Sequence, residues 1–138
     1  MKIHTTNYKD TFIAVSDDCP TAQGEIPAGK GGNKTVAGLQ FEMISKYPYK
    51  YTSDDVLFSV FAERNDLTEE ELPEARAKFF SKGQACLRAC ALGKRYGWGI
   101  HHNADGKVAL YGCETLEYRD YLVQEKVKVV KAMQSKKP

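Results

Sequence analysis

Gly97-Trp98-Gly99-Ile100-His101-His102-Asn103-Ala104-Asp105-Gly106-Lys107-Val108-Ala109-Leu110-Tyr111 decides the fold class. Two β-prone runs flank an Asp-Gly pair that supplies the left-handed residue a tight connection needs, so the stretch reads as a β-hairpin. Pleating then puts Trp98, Ile100 and His102 on one face of the first strand and Gly97, Gly99 and His101 on the other. Upstream, Thr11-Phe12-Ile13-Ala14-Val15-Ser16 is short, β-branched and apolar, and Asp17-Asp18-Cys19-Pro20 stops it. It is a further strand.

Between these strands lie helices. Residues 19–34 carry Gly24, Pro27, Gly29, Gly31 and Gly32, too many breakers for regular structure. Thr35 caps a helix with Val36, Leu39, Met43 and Tyr47 at helical spacing, closed by Pro48. Thr52 opens a second, with Asp54 and Asp55 at its positive end and Leu57, Val60 and Phe61 as its apolar stripe. Thr68 and Glu71 form a capping box for a third, with Leu67 and Leu72 as a hydrophobic staple and Gly83 as its stop. Pro73 falls past the first position, so this helix starts irregularly or only at that turn. Cys86 to Cys90 is too short to assign, and residues 115–124 look helical. The run 126–133 fits an edge strand or more helix, and five lysines with no acid from Lys126 onward make 126–138 a basic C-terminal segment or tail. These elements predict one α+β domain over residues 1–138. Its sheet is small and mostly antiparallel, with three to four helices packed on it and those of residues 35–82 on one side.

Composition agrees. The 138 residues are 42% hydrophobic and 28% charged, the proportions of a soluble globular domain whose core needs neither disulfide nor structural metal. Twenty Lys and Arg against eighteen Asp and Glu leave +2, too small an excess to indicate a nucleic-acid binder. No apolar run approaches the roughly 18 to 20 residues of a membrane span, and Met1-Lys2-Ile3-His4-Thr5-Thr6 lacks the core of a secretory signal. The expectation is a cytoplasmic protein with no membrane contact, in which Cys19, Cys86, Cys90 and Cys113 are reduced thiols.

Gly24-x-x-x-x-Gly29-Lys30 follows most of a phosphate-cradling loop, but Gly31 stands where a magnesium-holding Ser or Thr belongs and Pro27 removes an N–H. What remains is a looser anion site of Lys30, Lys34 and Thr35 at a helix start. Cys86 and Cys90 lack the tight spacing of a zinc pair, and adjacent strand histidines point apart, so no metal or cofactor is assigned. The densest set of functional side chains is Lys94-Arg95-Tyr96-Gly97-Trp98-Gly99-Ile100-His101-His102, where cations, stacking rings and glycines coincide. His101, on the glycine face, is the better ligand or acid/base residue, whereas His102 shares the face of Trp98 and is packed. Against a binding face stands a bland reading: Trp98 and Ile100 are core, and the glycines accommodate a packed helix. Tyr47-Pro48-Tyr49-Lys50-Tyr51 is an aromatic and basic connector, but eight acids within residues 54–74 would repel a nucleic-acid backbone nearby.

The runs His4-Thr5-Thr6-Asn7-Tyr8, Gly24-Glu25-Ile26-Pro27, Leu39-Gln40-Phe41-Glu42-Met43, Pro48-Tyr49-Lys50-Tyr51-Thr52-Ser53-Asp54-Asp55-Val56-Leu57-Phe58, Lys94-Arg95-Tyr96-Gly97-Trp98-Gly99-Ile100-His101 and Gly106-Lys107-Val108-Ala109-Leu110-Tyr111-Gly112 resemble a family of small, soluble, mostly bacterial proteins classed as a domain of unknown function. The resemblance spans nearly the whole chain and implies a single cytoplasmic domain. It carries no activity, cofactor or catalytic residue.

The leading functional expectation is a binding module that takes a small anionic or aromatic ligand, or a protein partner, on a face of Lys94, Arg95, Tyr96, His101, Tyr49 and Tyr51. An enzyme using His101 with a carboxylate as an acid/base pair is the alternative. A nucleic-acid accessory protein working through the lysines and tyrosines is a further one, and an unpaired terminal strand or aromatic face is also compatible with a homodimer.

Overall fold

The computed structural model describes residues 4–27 and 35–134. The hairpin forms where the sequence puts it, as β2 (Trp98–His102) and β3 (Val108–Gly112), closed by Gly106 at φ +78°. β2 also pairs antiparallel with β1 (Thr11–Ala14), Phe12 opposite His101 and Ile13 opposite Ile100. On the far side of β1 lies β4 (Lys128–Lys131), and this pairing is parallel, with Phe12 opposite Val129. The order is β3-β2-β1-β4, so the sheet is mixed, with two antiparallel pairings and one parallel.

Alternation along these strands makes two unlike faces. Ile13, Ile100, Val108 and Val130 belong to the main core. It is roofed by α1 (Val36–Lys46), α2 (Ser53–Arg64) and α4 (Ala91–Lys94), through Ile44, Val56 and Leu92 among others. The caps explain where the first two helices begin. Thr35 Oγ1 accepts from Gly38 N–H at 3.1 Å, and Thr52 with Asp55 makes a reciprocal capping box. The second face, with Phe12, Ala14 and Tyr111, is covered by α5 (Leu116–Val123) through Tyr118 and Tyr121. Thr115 caps α5 on the Tyr118 N–H at 3.2 Å.

The third helix departs from the expectation that all three helices of residues 35–82 lie on the sheet. α3 (Leu72–Phe79) buries none of its residues and packs on α2. Its capping-box pair is present, Thr68 N–H and Oγ1 both donating to Glu71 Oε1, yet regular helix starts one turn later with Pro73 in its first turn. Cys86 to Cys90 is neither strand nor α-helix: a 3₁₀ turn at Leu87–Ala89 leads into α4. That turn fastens the sheet edge, because Arg88 Nε donates to Lys131 O at 2.9 Å and Arg88 O accepts from Met133 N–H at 2.8 Å. No helix among the described residues is long and apolar enough to cross a membrane.

Candidate functional site

The connector between α1 and α2 runs along the open edge of β3. Tyr49 N–H donates to Val108 O, and Val108 N–H to Tyr51 O, each at 2.9 Å. To follow this edge the chain turns through Tyr49 in the left-handed region, at φ +61°. For an aromatic residue that conformation is costly and persists only where its surroundings over-determine it. The consequence is that two tyrosines close in sequence part company. Tyr51 packs against the main core, while Tyr49 joins His101 on the second face.

There the Tyr49 hydroxyl is a hub. It shares hydrogen bonds with His101 Nδ1 at 2.9 Å, with the Tyr111 hydroxyl at 2.7 Å and with the Tyr121 hydroxyl at 3.3 Å. A phenol has one hydrogen to give and two lone pairs to offer, so three partners use its whole capacity and at least two of them donate to it. The rings are as tightly arranged as the polar atoms. Tyr121 stacks on His101 at 4.3 Å between centroids and on Phe12 at 5.0 Å, and Tyr111 lies tilted against Tyr121 at 5.1 Å. Tyr49, His101, Tyr111 and Tyr121 are all half-buried, so each keeps part of its surface open to solvent.

Burial sets the protonation of this group. It pushes the Tyr49 and Tyr111 phenols above their usual range, and neighbouring phenol hydroxyls add to the effect at Tyr49. It lowers His101 below the usual imidazole value, with the Asp10 carboxylate opposing the shift. Near neutral pH the His101 imidazole is therefore neutral and the Tyr49 and Tyr111 phenols keep their protons. The Nε2 atom of His101 meets no hydrogen-bond partner among the described residues. Two carboxylates bear on the cluster, Asp10 at His101 and Glu117 at Tyr111.

A model of the Family of unknown function (DUF6157) matches residues 3–138. The chain belongs to that family. No curated protein and no solved structure matches it.

In this DUF6157 chain the fold brings Tyr49 and His101 together and leaves the other expected ligand residues elsewhere. Lys94 and Arg95 end α4, on the side of the main core. Tyr96 O accepts from Glu25 N–H at 2.8 Å. From Trp98, where β2 begins, His101 is three residues further, roughly 10 Å along the strand. The Thr35 hydroxyl serves as a helix cap. Lys30 and Lys34 lie outside the described residues. Tyr111 and Tyr121 were not singled out from the sequence, although the signals exist. The pleat rule carried across the hairpin puts Tyr111 on the glycine face, and Tyr118 with Tyr121 forms an i, i+3 stripe on α5.

The thiols are free, and burial pushes Cys90 up to about 11 and raises Cys113. Both therefore stay protonated near neutral pH, which disfavours a nucleophilic role for them. Among the described residues no three or more His, Cys, Asp or Glu side chains are grouped to hold a metal ion. His102, on the main-core face, is fully buried against Tyr8, whose ring meets it edge-on at 5.4 Å.

Proposed function

We propose that this protein is a binding module for a small planar ligand, uncharged or cationic, recognised on the second face of the sheet by Tyr49, His101, Tyr111 and Tyr121. The observation that carries the reading is the Tyr49 hub. A left-handed aromatic residue is held so that its hydroxyl ties an imidazole and two phenols into one partly open, stacked group. Strain of this kind collects at ligand sites, where the rest of the fold holds it in place. The stacked rings offer aromatic faces, while the phenol hydroxyls and the open imidazole nitrogen offer hydrogen bonds to a heterocycle edge.

Electrostatics selects between the ligand types. Lys94 and Arg95 stand apart from the cluster, the imidazole is neutral, and Asp10 and Glu117 bear on it, so an anion gains nothing there. Saturation-transfer NMR with adenine, nicotinamide and benzoate tests this choice: the two uncharged heterocycles bind and benzoate does not. In Tyr49→Phe the ring stays and the hub hydroxyl goes. Binding falls about tenfold, while stability changes by only about 1 kcal/mol. Benzoate binding as well as the heterocycles, or equal binding by wild type and Tyr49→Phe, sinks the proposal.

A further inference from the structure

Away from that face, α2 and α3 meet only partly. A cleft of about 720 Å³ opens between them, floored by Phe58, Ala62, Leu67, Leu72 and Pro73. A second cleft of about 440 Å³, lined by Phe61, Leu67, Ala75 and Phe79, shares Leu67 with the first. An eight-residue helix that buries none of its residues leaves part of the apolar contact between α2 and α3 open: Leu67, Leu72 and Phe79 are only half-buried, and Phe61 is 39% exposed. This surface has the size and apolar character of a recognition site.

The two clefts differ in charge: Lys78 and Lys82 line the smaller, whereas acids outnumber bases around the larger. Residues 62–76 contain six acids and two arginines, and Glu63 and Asp66 line the larger cleft. Arg76, which also lines it, is already engaged: its guanidinium bonds Asp55 at 2.9 Å and lies over the rings of Phe58 and Phe80. Glu71, held by the Thr68 N–H and hydroxyl, has its carboxyl kept below the usual range and stays ionised. Glu69, Glu70 and Glu74 are exposed beside it.

We infer that the α2–α3 cleft docks a basic amphipathic helix of a partner protein, its apolar residues on the Phe58, Leu67 and Leu72 floor and its lysines or arginines against Glu63 and Asp66. A cleft between two helices admits a third helix laid along it, and with Arg76 paired to Asp55 the Glu63 and Asp66 carboxylates favour a cationic occupant in the larger cleft. The chain's own basic and apolar run does not supply the occupant, because Lys128–Lys131 is committed to the sheet beside β1. The inference is independent of the tyrosine and histidine site.

The test uses the full chain, labelled with nitrogen-15, and three synthetic peptides: an amphipathic Leu/Lys helix, its Leu/Glu counterpart and a Ser/Lys control. The Leu/Lys peptide gives saturable amide shifts at Ala62, Glu63, Leu67 and Leu72, whereas the other two give none. Glu63 and Asp66 are both exposed, so Glu63→Lys with Asp66→Lys leaves the fold intact, checked by an unchanged melting curve. In that variant the Leu/Lys affinity drops about tenfold and the Leu/Glu peptide gains. Equal binding of the Leu/Lys and Leu/Glu peptides, saturable shifts that map to other surfaces, an absence of shifts, or self-association through these residues in place of peptide binding overturns the inference.

Discussion

His102 pairs across from Thr11, has no solvent exposure, and neither of its ring nitrogens finds a hydrogen-bond partner among the described residues. A buried imidazole can stay there only in its neutral form. Burial accordingly pushes its pKa down to about 4 from the ordinary 6.5, against the opposing pull of the Ile100 and Thr11 backbone. The sign of the linkage follows. Between about 4 and 6.5 the unfolded chain holds the proton and the folded one does not, so stability falls as pH falls through that window and is intact above it. The full loss is about 3 kcal/mol. Denaturant unfolding at stepped pH measures it, and in His102→Phe, which packs beside Tyr8 without titrating, most of the decline disappears. A wild-type stability that is flat across the window contradicts the assignment. His101, lowered in the same direction, adds a smaller slope of the same sign.

At the scale of the element, α5 sits where it does because β2 makes room for it. A Cβ on Gly99 would collide with the Phe12 ring and would stand 2.7 Å from Tyr118 Cε2. The Tyr118 hydroxyl in turn accepts the Val15 N–H at 2.9 Å, which ties the helix to the end of β1. Gly99→Ala therefore forces α5 away from the sheet and costs about 1 to 3 kcal/mol, read by thermal denaturation together with a change in near-ultraviolet tyrosine dichroism. Unchanged melting and dichroism would mean that α5 is not seated by this contact. The same element shows what the sequence could reveal. Pleating alone puts His102 on the face of Trp98 and Ile100 and Gly99 with His101 on the other, because alternation is a local rule. A glycine face waiting for a packed helix was also readable. That α5 is the helix was not, since nothing local distinguishes its tyrosines from those of the 47–51 connector. Lys94 to Tyr96 were grouped with His101 because they adjoin it in sequence, but an extended strand carries neighbours apart. The pairing of β4 was hidden for a different reason. Val129-Val130 is too short to show a period, and its parallel partner is chosen by the path over the second face rather than by its own residues.

Across the whole molecule, burial is uneven, and stability should be distributed in the same way. β1 and β2 lie in the middle of the sheet, paired on both sides, and Phe12, Ile13 and Ile100 have no exposure at all. α1 and α2 close the main core over them through Ile44 and Val56. α3 is attached differently: it meets α2 through half-buried side chains such as Phe79 against Phe58 and Phe61, and a partly exposed ion pair joins Arg76 to Asp55. Exposed ion pairs contribute little, and an element with no buried residue can open without breaching the core. Native-state hydrogen exchange resolves the two cases. Amides of α3 exchange through local opening roughly a hundredfold or more faster than those of β1 and β2, which require global unfolding. Protection of α3 equal to that of β2 would show that the helix belongs to the cooperative unit. Such a result would also remove the unfinished character of the α2–α3 surface, because a helix already held as firmly as the core leaves no packing for a partner to complete.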